Sequence, residues 1–157
     1  MARDLQEHVL QRRAIGAEVI GHDAVRNPNP ATIRKRLEWL MAKPDRVNDE
    51  MVDIRLKLYS DPEVQRSMVN VYTNAFIDKV LFTKYFVDEE VCAKLKNPSM
   101  VFWTEFNPGE GPAVGERFHS LIPGSKYYCM DDAAHWPQWE KPEEHDQAII
   151  DFIAGKM

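Results

Sequence analysis

The chain has 157 residues, of which 29% are charged and 44% hydrophobic, and its net charge is -5. This length is sufficient for one domain with a real core. The chain has no basic stripe, which argues against a nucleic-acid partner. No segment reaches the ~18 apolar residues of a membrane span, and the charged start of the chain contains no apolar signal core.

The cysteines and histidines indicate neither a disulfide framework nor a metal site. Cys92 and Cys129 lie far apart in apolar contexts and form no Cys-x-x-Cys, so we expect them to be reduced core residues of a cytoplasmic protein. No His-Glu-x-x-His or comparable ligand spacing occurs, and we predict no metal.

Residues 1–28 form a short N-terminal region without a strong pattern. The spacing of Leu5, Val9 and Leu10 predicts a helix over 1–13, and the apolar run 14–20 is interpreted as a strand remnant or a loop. Residues 22–30 are predicted to be a loop, because a residue that precedes proline is disfavoured in a helix.

Residues 29–96 form a predicted helical layer. Asn29 caps a helix that begins at Pro30, and its apolar face is predicted to contain Ile33, Leu37, Leu40 and Met41. Asn48 caps a second helix with an apolar stripe of Met51, Ile54 and Leu58, widened by Val52, Leu56 and Tyr59. Asp61 and Pro62 open a third helix. The apolar stretch 76–87 fits helix or strand, and Asp88 is predicted to cap a short helix that ends near Leu95.

Residues 97–157 alternate between strand and helix. Apolar runs with β-forming residues predict strands at 100–104 and 126–130, and helices are predicted at about 113–121 and 142–153. The last helix is expected to bury Ala148, Ile149, Phe152 and Ile153. This order predicts a parallel α/β arrangement.

The most specific stretch is 131–140, Asp-Asp-Ala-Ala-His-Trp-Pro-Gln-Trp-Glu. It places His135 on a loop between the last strand and the C-terminal helix. Reactive side chains commonly occupy loops that rigid elements hold on both sides.

This stretch resembles the C-terminal end of α/β-hydrolases, and most closely that of the meta-cleavage product hydrolases, where the last strand leads to Gly-His-Trp-(Pro/Ala)-Gln-(Trp/His)-Glu. His135 and the five residues after it fit, with Ala134 in place of the usual glycine. The resemblance covers residues 29–157 with falling specificity. It implies a partial α/β-hydrolase fold: a helical cap over 29–96, then the last two parallel strands and their helices over 97–157.

The family hydrolyses a C–C bond in 2-hydroxy-6-oxo-dienoates from aromatic degradation, so a small oxo-dienoic acid is the implied substrate, with no cofactor or metal. The resemblance implies that His135 is the general base of a triad and that Trp136 lines the substrate pocket. It also places Arg55 at the substrate's carboxylate and keto end, where a guanidinium can bind bidentately. The other reading of Arg55 is a solvated helix residue paired with an acid one turn away.

Two catalytic parts do not follow the family pattern. A Gly-x-Ser-x-Gly nucleophile elbow is absent from the sequence, and Ser125 lies in a turn entering the last strand. Asn107 takes the place of the aspartate that normally orients the histidine, and asparagine cannot stabilise an imidazolium by charge. Glu110, and behind it Glu105 or Asp132, are the alternative partners.

We therefore predict a C–C bond hydrolase of this superfamily, with a truncated or catalytically incomplete fragment as the first alternative and a non-catalytic binding protein as the second. Half of a doubly covered sheet would expose strand edges, so homo-oligomerisation or partner binding is expected. A different enzyme that uses Cys129 or Cys92 with His135 is the least favoured reading.

Overall fold

The computed structural model describes residues 20–71 and 89–157, and these residues fall into two compact units. The first contains residues 20–39 and 43–71, and the second contains residues 40–42 and 89–157. The predictions for 1–13, 14–19, 76–87 and Asp88 lie outside the described residues. The division predicted at 28/29 and 96/97 stays a prediction of the sequence.

The first unit is helical. Its elements are α1 (His22–Arg26), α2 (Pro30–Leu40), a 3-10 turn (Pro44–Arg46), α3 (Asp49–Tyr59) and α4 (Pro62–Val71). The predicted caps of α2 and α3 are confirmed: Asn29 Oδ1 accepts from the amides of Ala31 and Thr32, and Asn48 Oδ1 accepts from Met51 N at 2.9 Å.

Helix α1 corrects the prediction of a loop over 22–30. Ala24 and Val25, near its middle, are 0% and 1% exposed. The burial of these two side chains stabilises a single helical turn that local sequence does not favour. The disfavour of helix before proline applies at Asn27, which precedes Pro28. Asn27 has a φ of −134°, and the helix ends there.

The buried face of α2 matches the prediction, whereas that of α3 does not. Ile33, Leu37, Leu40 and Met41 are all at most 5% exposed. In α3, Ile54 is 63% and Leu58 48% exposed, and the buried side chains are Met51, Val52 and Tyr59. The predicted Met51–Ile54–Leu58 stripe is therefore wrong for its last two members.

The second unit is built on a pair of parallel strands. Its elements are α5 (Glu89–Ala93), β1 (Met100–Thr104), α6 (Pro112–Leu121), β2 (Lys126–Met130), α7 (Pro137–Glu140) and α8 (Pro142–Ile153). The register pairs Met100 with Lys126 and Thr104 with Met130. Both strands have the predicted bounds, and α6 and α8 match their predictions within one residue.

Helices cover both faces of this strand pair. On one face, the Trp103 ring stacks with that of Phe118 on α6, and Gly115 of α6 lies directly against the indole. On the other face, the Phe102 and Tyr128 rings lie 5.2 Å apart, and the Phe102 ring lies 5.3 Å from that of His145 on α8. The unit therefore has the parallel α/β arrangement that the alternation predicted, with a helix on each face of the strands.

The aromatic residues of β2 are tied to the helices by their hydroxyl groups. Tyr128 donates to Glu144 Oε1 at 2.8 Å, and Tyr127 donates to the Pro112 carbonyl at 3.2 Å. Burial raises the pKa of each phenol to about 12, and the bond to Glu144 adds to the rise at Tyr128. The pKa of Glu144 is lowered, first by Lys141 and then by Tyr128.

The C-terminal helix α8 is less buried than its pattern predicted. Ala148 is buried, as expected, but Ile153 is 78% exposed, which corrects its assignment to the core. Ile153 is the last residue of α8. Across residues 20–71 and 89–157, no helix has the length and apolar character needed to cross a bilayer.

Candidate functional site

The site lies where the two parallel strands end. Backbone pairing continues past both strands, because the amide of Glu105 donates to the Met130 carbonyl at 2.9 Å and that of Phe106 donates to the Ala133 carbonyl at 3.0 Å. The carboxyl ends of parallel strands meet at the same edge of the sheet. The extra pairing therefore brings the loop after β1 beside the loop that carries His135.

A tight turn fixes the loop after β1. The amide of Glu110 donates to the Asn107 carbonyl at 3.3 Å, and Gly109 adopts a φ of +88°, which favours glycine. The Glu110 carbonyl in turn accepts from Trp103 Nε1 at 3.1 Å and from Asn107 Nδ2 at 3.2 Å. The turn is thus anchored to the indole of β1, and it orients the Asn107 amide.

The structure brings the side chains of Asn107 and His135 together. Their Oδ1 and Nδ1 atoms lie 3.0 Å apart. Because Asn107 Nδ2 donates to Glu110, Oδ1 is the atom that faces the imidazole. Oδ1 can only accept, so Nδ1 of His135 carries a proton, and in the neutral imidazole Nε2 then carries the lone pair. This is the tautomer in which a histidine can take a proton through Nε2.

The backbone around His135 is held by several hydrogen bonds. The His135 amide donates to the Leu40 carbonyl at 2.9 Å, and the Ala134 amide donates to Glu140 Oε2 at 2.6 Å. Ala133 and Ala134 are 0% and 1% exposed, so a larger side chain at either position would have to displace its neighbours. The imidazole itself is exposed.

The three alternative acids are placed differently. Glu105 Oε2 accepts from the Asp132 amide at 2.9 Å, so this carboxylate is bound to the backbone of the His135 loop. Asp132 adopts a φ of +52°, in the left-handed region that aspartate tolerates better than most residues. Glu110 contributes its carbonyl to the orientation of Asn107. Asn107 is therefore the side chain whose contact with the His135 ring is established here, and its catalytic role stays a prediction.

The serines of the second unit do not lie at this end of the strands. Ser99 and Ser125 immediately precede β1 and β2, so a strand of five residues, roughly 16 Å long, separates Ser125 from the site. The Ser125 hydroxyl lies 2.9 Å from His119 Nδ1 and also donates to the His119 carbonyl. The His119 ring stacks on that of Tyr127.

The two predicted substrate-binding residues lie in different units. Trp136 immediately follows His135, is half-buried and precedes the first turn of α7. Arg55 lies on α3 of the first unit, where its guanidinium carbon is 5.5 Å from the centre of the Tyr59 ring and its Nη1 is 3.4 Å from the Tyr59 hydroxyl. Arg55 is thus oriented by an aromatic ring one turn along its helix.

One carboxylate at the site received no role from the sequence. Glu140 accepts amide protons from two separate segments, through Oε1 from Ala42 at 2.7 Å and through Oε2 from Ala134. Glu140 is part of the motif that begins at His135, five residues before it. Membership of this motif is the sequence signal that could have separated Glu140 from the other acidic residues nearby.

The fold and this edge-of-sheet histidine define the class of the protein: the chain has a partial α/β-hydrolase fold. Solved structures of two such enzymes match it, although identity is low. A 2-hydroxy-6-oxo-6-phenylhexa-2,4-dienoate hydrolase from Rhodococcus sp. strain RHA1 aligns with a TM-score of 0.72 and 15% identity over 84% of this chain. The meta-cleavage product hydrolase CumD from Pseudomonas fluorescens IP01 aligns with a TM-score of 0.72 and 17% identity over 83% of this chain.

Curated sequences give the same resemblance. A 2-hydroxy-6-oxononadienedioate/2-hydroxy-6-oxononatrienedioate hydrolase from Pseudomonas sp. is 21% identical over 131 residues, and the uncharacterized hydrolase YugF from Bacillus subtilis (strain 168) is 23% identical over 107 residues. The chain spans 44% and 36% of these relatives and 47% of each of the two solved structures. No family model matches the chain. More particularly, therefore, the chain resembles the C-terminal part of meta-cleavage product hydrolases.

Proposed function

We propose that this chain forms the C-terminal part of a hydrolase that cleaves a C–C bond in a 2-hydroxy-6-oxo-dienoate. His135 is the general base in this proposal, and Asn107 orients it. Arg55 and Trp136 bind the substrate. The observation that supports the proposal most directly is the hydrogen bond between Asn107 Oδ1 and His135 Nδ1, formed at the carboxyl ends of two adjacent parallel strands.

The geometry supports proton transfer through Nε2 of His135. With Nδ1 protonated and bound to Asn107, Nε2 is the atom that accepts a proton when the dienol is converted to its keto form and water is activated. Asn107 fixes the tautomer but is neutral, so it adds no charge stabilisation to the imidazolium. We therefore expect slower proton transfer than in a triad with a carboxylate at this position.

The two substrate-binding roles follow from side-chain chemistry. The guanidinium of Arg55 offers a planar fork of donors that matches a carboxylate, and its contact with the Tyr59 ring reduces the freedom lost on binding. Trp136 is half-buried beside the proposed base and offers an apolar surface for the dienoate chain.

The reaction also needs a nucleophile or an activated water. In these hydrolases the serine stands on a Gly-x-Ser-x-Gly turn, and this sequence contains no such turn. That observation favours a second candidate function: a catalytically incomplete part of a hydrolase, which binds the dienoate and moves protons but does not cleave carbon, or a non-catalytic binding protein.

An absorbance assay distinguishes these functions. The purified chain is mixed with a 2-hydroxy-6-oxo-dienoate, decay of the dienol chromophore is followed, and the cleavage products are quantified. His135→Ala is tested in parallel. His119→Ala is the matched control, because this second histidine of the same unit is bound to Ser125 at the opposite end of the strands.

Decay that His135→Ala abolishes and His119→Ala preserves would support His135 as the base. Products of carbon cleavage would support the full reaction, and decay without products would support ketonisation alone. If a folded chain gives no decay beyond the buffer rate, or if decay is unchanged in His135→Ala, the proposed catalytic role of His135 is wrong. Binding without decay would then favour the binding protein.

A further inference from the structure

The carboxylate of Glu140, the last residue of the motif, holds the loop that carries His135. Glu140 is the last residue of the four-residue helix α7. Its Oε2 accepts from the Ala134 amide at 2.6 Å, and its Oε1 accepts from the Ala42 amide at 2.7 Å. Both distances are in the short range of charge-assisted hydrogen bonds.

These two bonds join segments that are 92 residues apart in the chain, since residue 42 follows the end of α2 and residue 134 follows β2. A third bond, from the His135 amide to the Leu40 carbonyl at 2.9 Å, joins the same two segments. The Glu140 carboxylate therefore closes a small backbone network that includes the residue before His135 and the backbone amide of His135 itself.

The chemistry of this position requires a carboxylate rather than an amide. Two N–H groups converge on the two oxygens of Glu140. A carboxylate offers acceptors on both oxygens, whereas glutamine offers one oxygen and an NH2 group that can only donate. In a glutamine variant one of the two amides would face a donor. Ala134 is 1% exposed, so solvent could not readily replace the lost acceptor at that amide.

We propose that Glu140 is a positioning residue for His135. Its carboxylate fixes the backbone at Ala134 and thereby holds the His135 ring at hydrogen-bond distance from Asn107. The catalytic importance of this role rests on the proposed function, in which His135 is the base. The positioning of the His135 ring by Glu140 does not depend on that function. The effect of Glu140 on the imidazole is indirect, through Ala134.

Glu105 provides a matched control, because it follows β1 but its carboxylate also binds the backbone of the His135 loop. Its Oε2 accepts a single amide proton, from Asp132 at 2.9 Å. Glutamine can still accept one hydrogen bond through its oxygen. Glu105→Gln therefore makes the same chemical change at a carboxylate that binds Asp132, three residues before His135, and it preserves that bond. Glu140→Gln acts on Ala134, the residue before His135, and breaks one of its two bonds.

The experiment uses NMR on the full, isotope-labelled chain. Exchange rates of the Ala42 and Ala134 amides are measured together with the ring nitrogen signals of His135, which report its tautomer. In Glu140→Gln we expect exchange at one or both amides to accelerate about tenfold or more, the size expected for a lost charge-assisted hydrogen bond. We also expect the His135 signals to shift from the Nδ1–H form toward a mixture of tautomers. Both readouts should be unchanged in Glu105→Gln.

A second measurement does not depend on the folding of any variant. In the wild-type chain, a scalar coupling through the hydrogen bond should connect the Ala134 nitrogen with the side-chain carboxylate carbon of Glu140. The absence of this coupling for both Ala134 and Ala42 would overturn the proposal. The proposal would also be overturned if Glu140→Gln left the His135 tautomer unchanged, or accelerated exchange equally at the amides of β1 and β2, as a purely structural residue would.

These results are separate from the test of the proposed function, because none of them measures turnover. A chain that fails to act on a dienoate but shows the coupling and the tautomer shift would retain Glu140 as a positioning residue and lose the proposed reaction. The reverse result would retain the reaction and remove Glu140 from the set of residues that orient His135.

Discussion

The packing of Trp103 against α6 leads to a sharp prediction for Gly115→Ala. A Cβ added at Gly115 would lie 2.7 Å from Trp103 Cγ and 2.8 Å from Cδ2. These atoms are at the root of the indole, not at a flexible end. The ring is also held by its Nε1 bond to the Glu110 carbonyl. The added methyl group must therefore displace Trp103 or move α6 away from β1.

Two opposing effects set the magnitude. Alanine in place of glycine within a helix contributes about 1 kcal/mol through helix propensity. Overpacking of a well-packed site costs about 1–3 kcal/mol, and this contact is close enough to place the cost in the upper part of that range. The free energy of unfolding should therefore fall by about 1–2 kcal/mol in Gly115→Ala, although helix propensity alone predicts an increase.

Urea unfolding followed by circular dichroism and by tryptophan fluorescence measures this change. Gly111→Ala is the control, because a Cβ there meets no atom within 4 Å and the glycine φ of −72° is open to alanine. The control should stay within about 0.5 kcal/mol of wild type. A Gly115→Ala variant as stable as Gly111→Ala, or more stable than wild type, would refute the close packing of Trp103 on α6.

Two further predictions concern tyrosine ionisation and helix capping. Because burial raises the pKa of Tyr127 and Tyr128 to about 12 from an ordinary value of 10, their stabilising contribution is complete below pH 10 and is lost as the pH rises through 12. In an absorbance titration, the Tyr128→Phe variant should therefore lose one phenol that ionises near pH 12 relative to wild type. Asn48→Ala removes the acceptor for Met51 N and should lower the free energy of unfolding by about 1 kcal/mol, whereas Asn48→Asp, which keeps a capping oxygen, should remain near wild type in the same urea assay.

The sequence predicted the strand pair because its signals are local. Runs such as Met100–Thr104 consist of β-forming and apolar residues between turn signals, and the strand bounds follow directly from them. Helix α1 was not predictable in this way, because Ala24 and Val25 are buried and the helix packs against α4, which lies about 40 residues further along the chain. Local preference near two prolines correctly indicated only where this helix must end.

The buried face of α3 shows a different limit. Apolar side chains occur on most sides of this helix, including Met51, Val52, Ile54, Leu58 and Tyr59, so hydrophobic periodicity alone does not select one face. The packing of neighbouring helices makes the selection, and it leaves Ile54 and Leu58 exposed.

At the candidate site, the family resemblance indicated that Asn107 and His135 should lie together. The register of β1 and β2 explains why their side chains are in contact. The motif identified His135, and the position after β1 identified Asn107, but neither predicted that the Glu110 carbonyl would orient the Asn107 amide. Residue type does not indicate which contacts a backbone carbonyl or amide makes. For the same reason the sequence missed the contacts of Glu140, whose partners are two alanine amides.

The register of the two strands makes the site sensitive to length rather than to composition. Thr104 pairs with Met130, and the two loops that follow carry Asn107 and His135 to a distance of 3.0 Å. Deleting one residue from β2 would move everything beyond it by about 3.3 Å and reverse the face to which each side chain points. Point substitutions within the strands leave this spacing intact. Across homologous chains, we therefore expect amino-acid identity in β1 and β2 to vary widely, while insertions and deletions between positions 104 and 135 accumulate only in α6 and in the turn that joins it to β2.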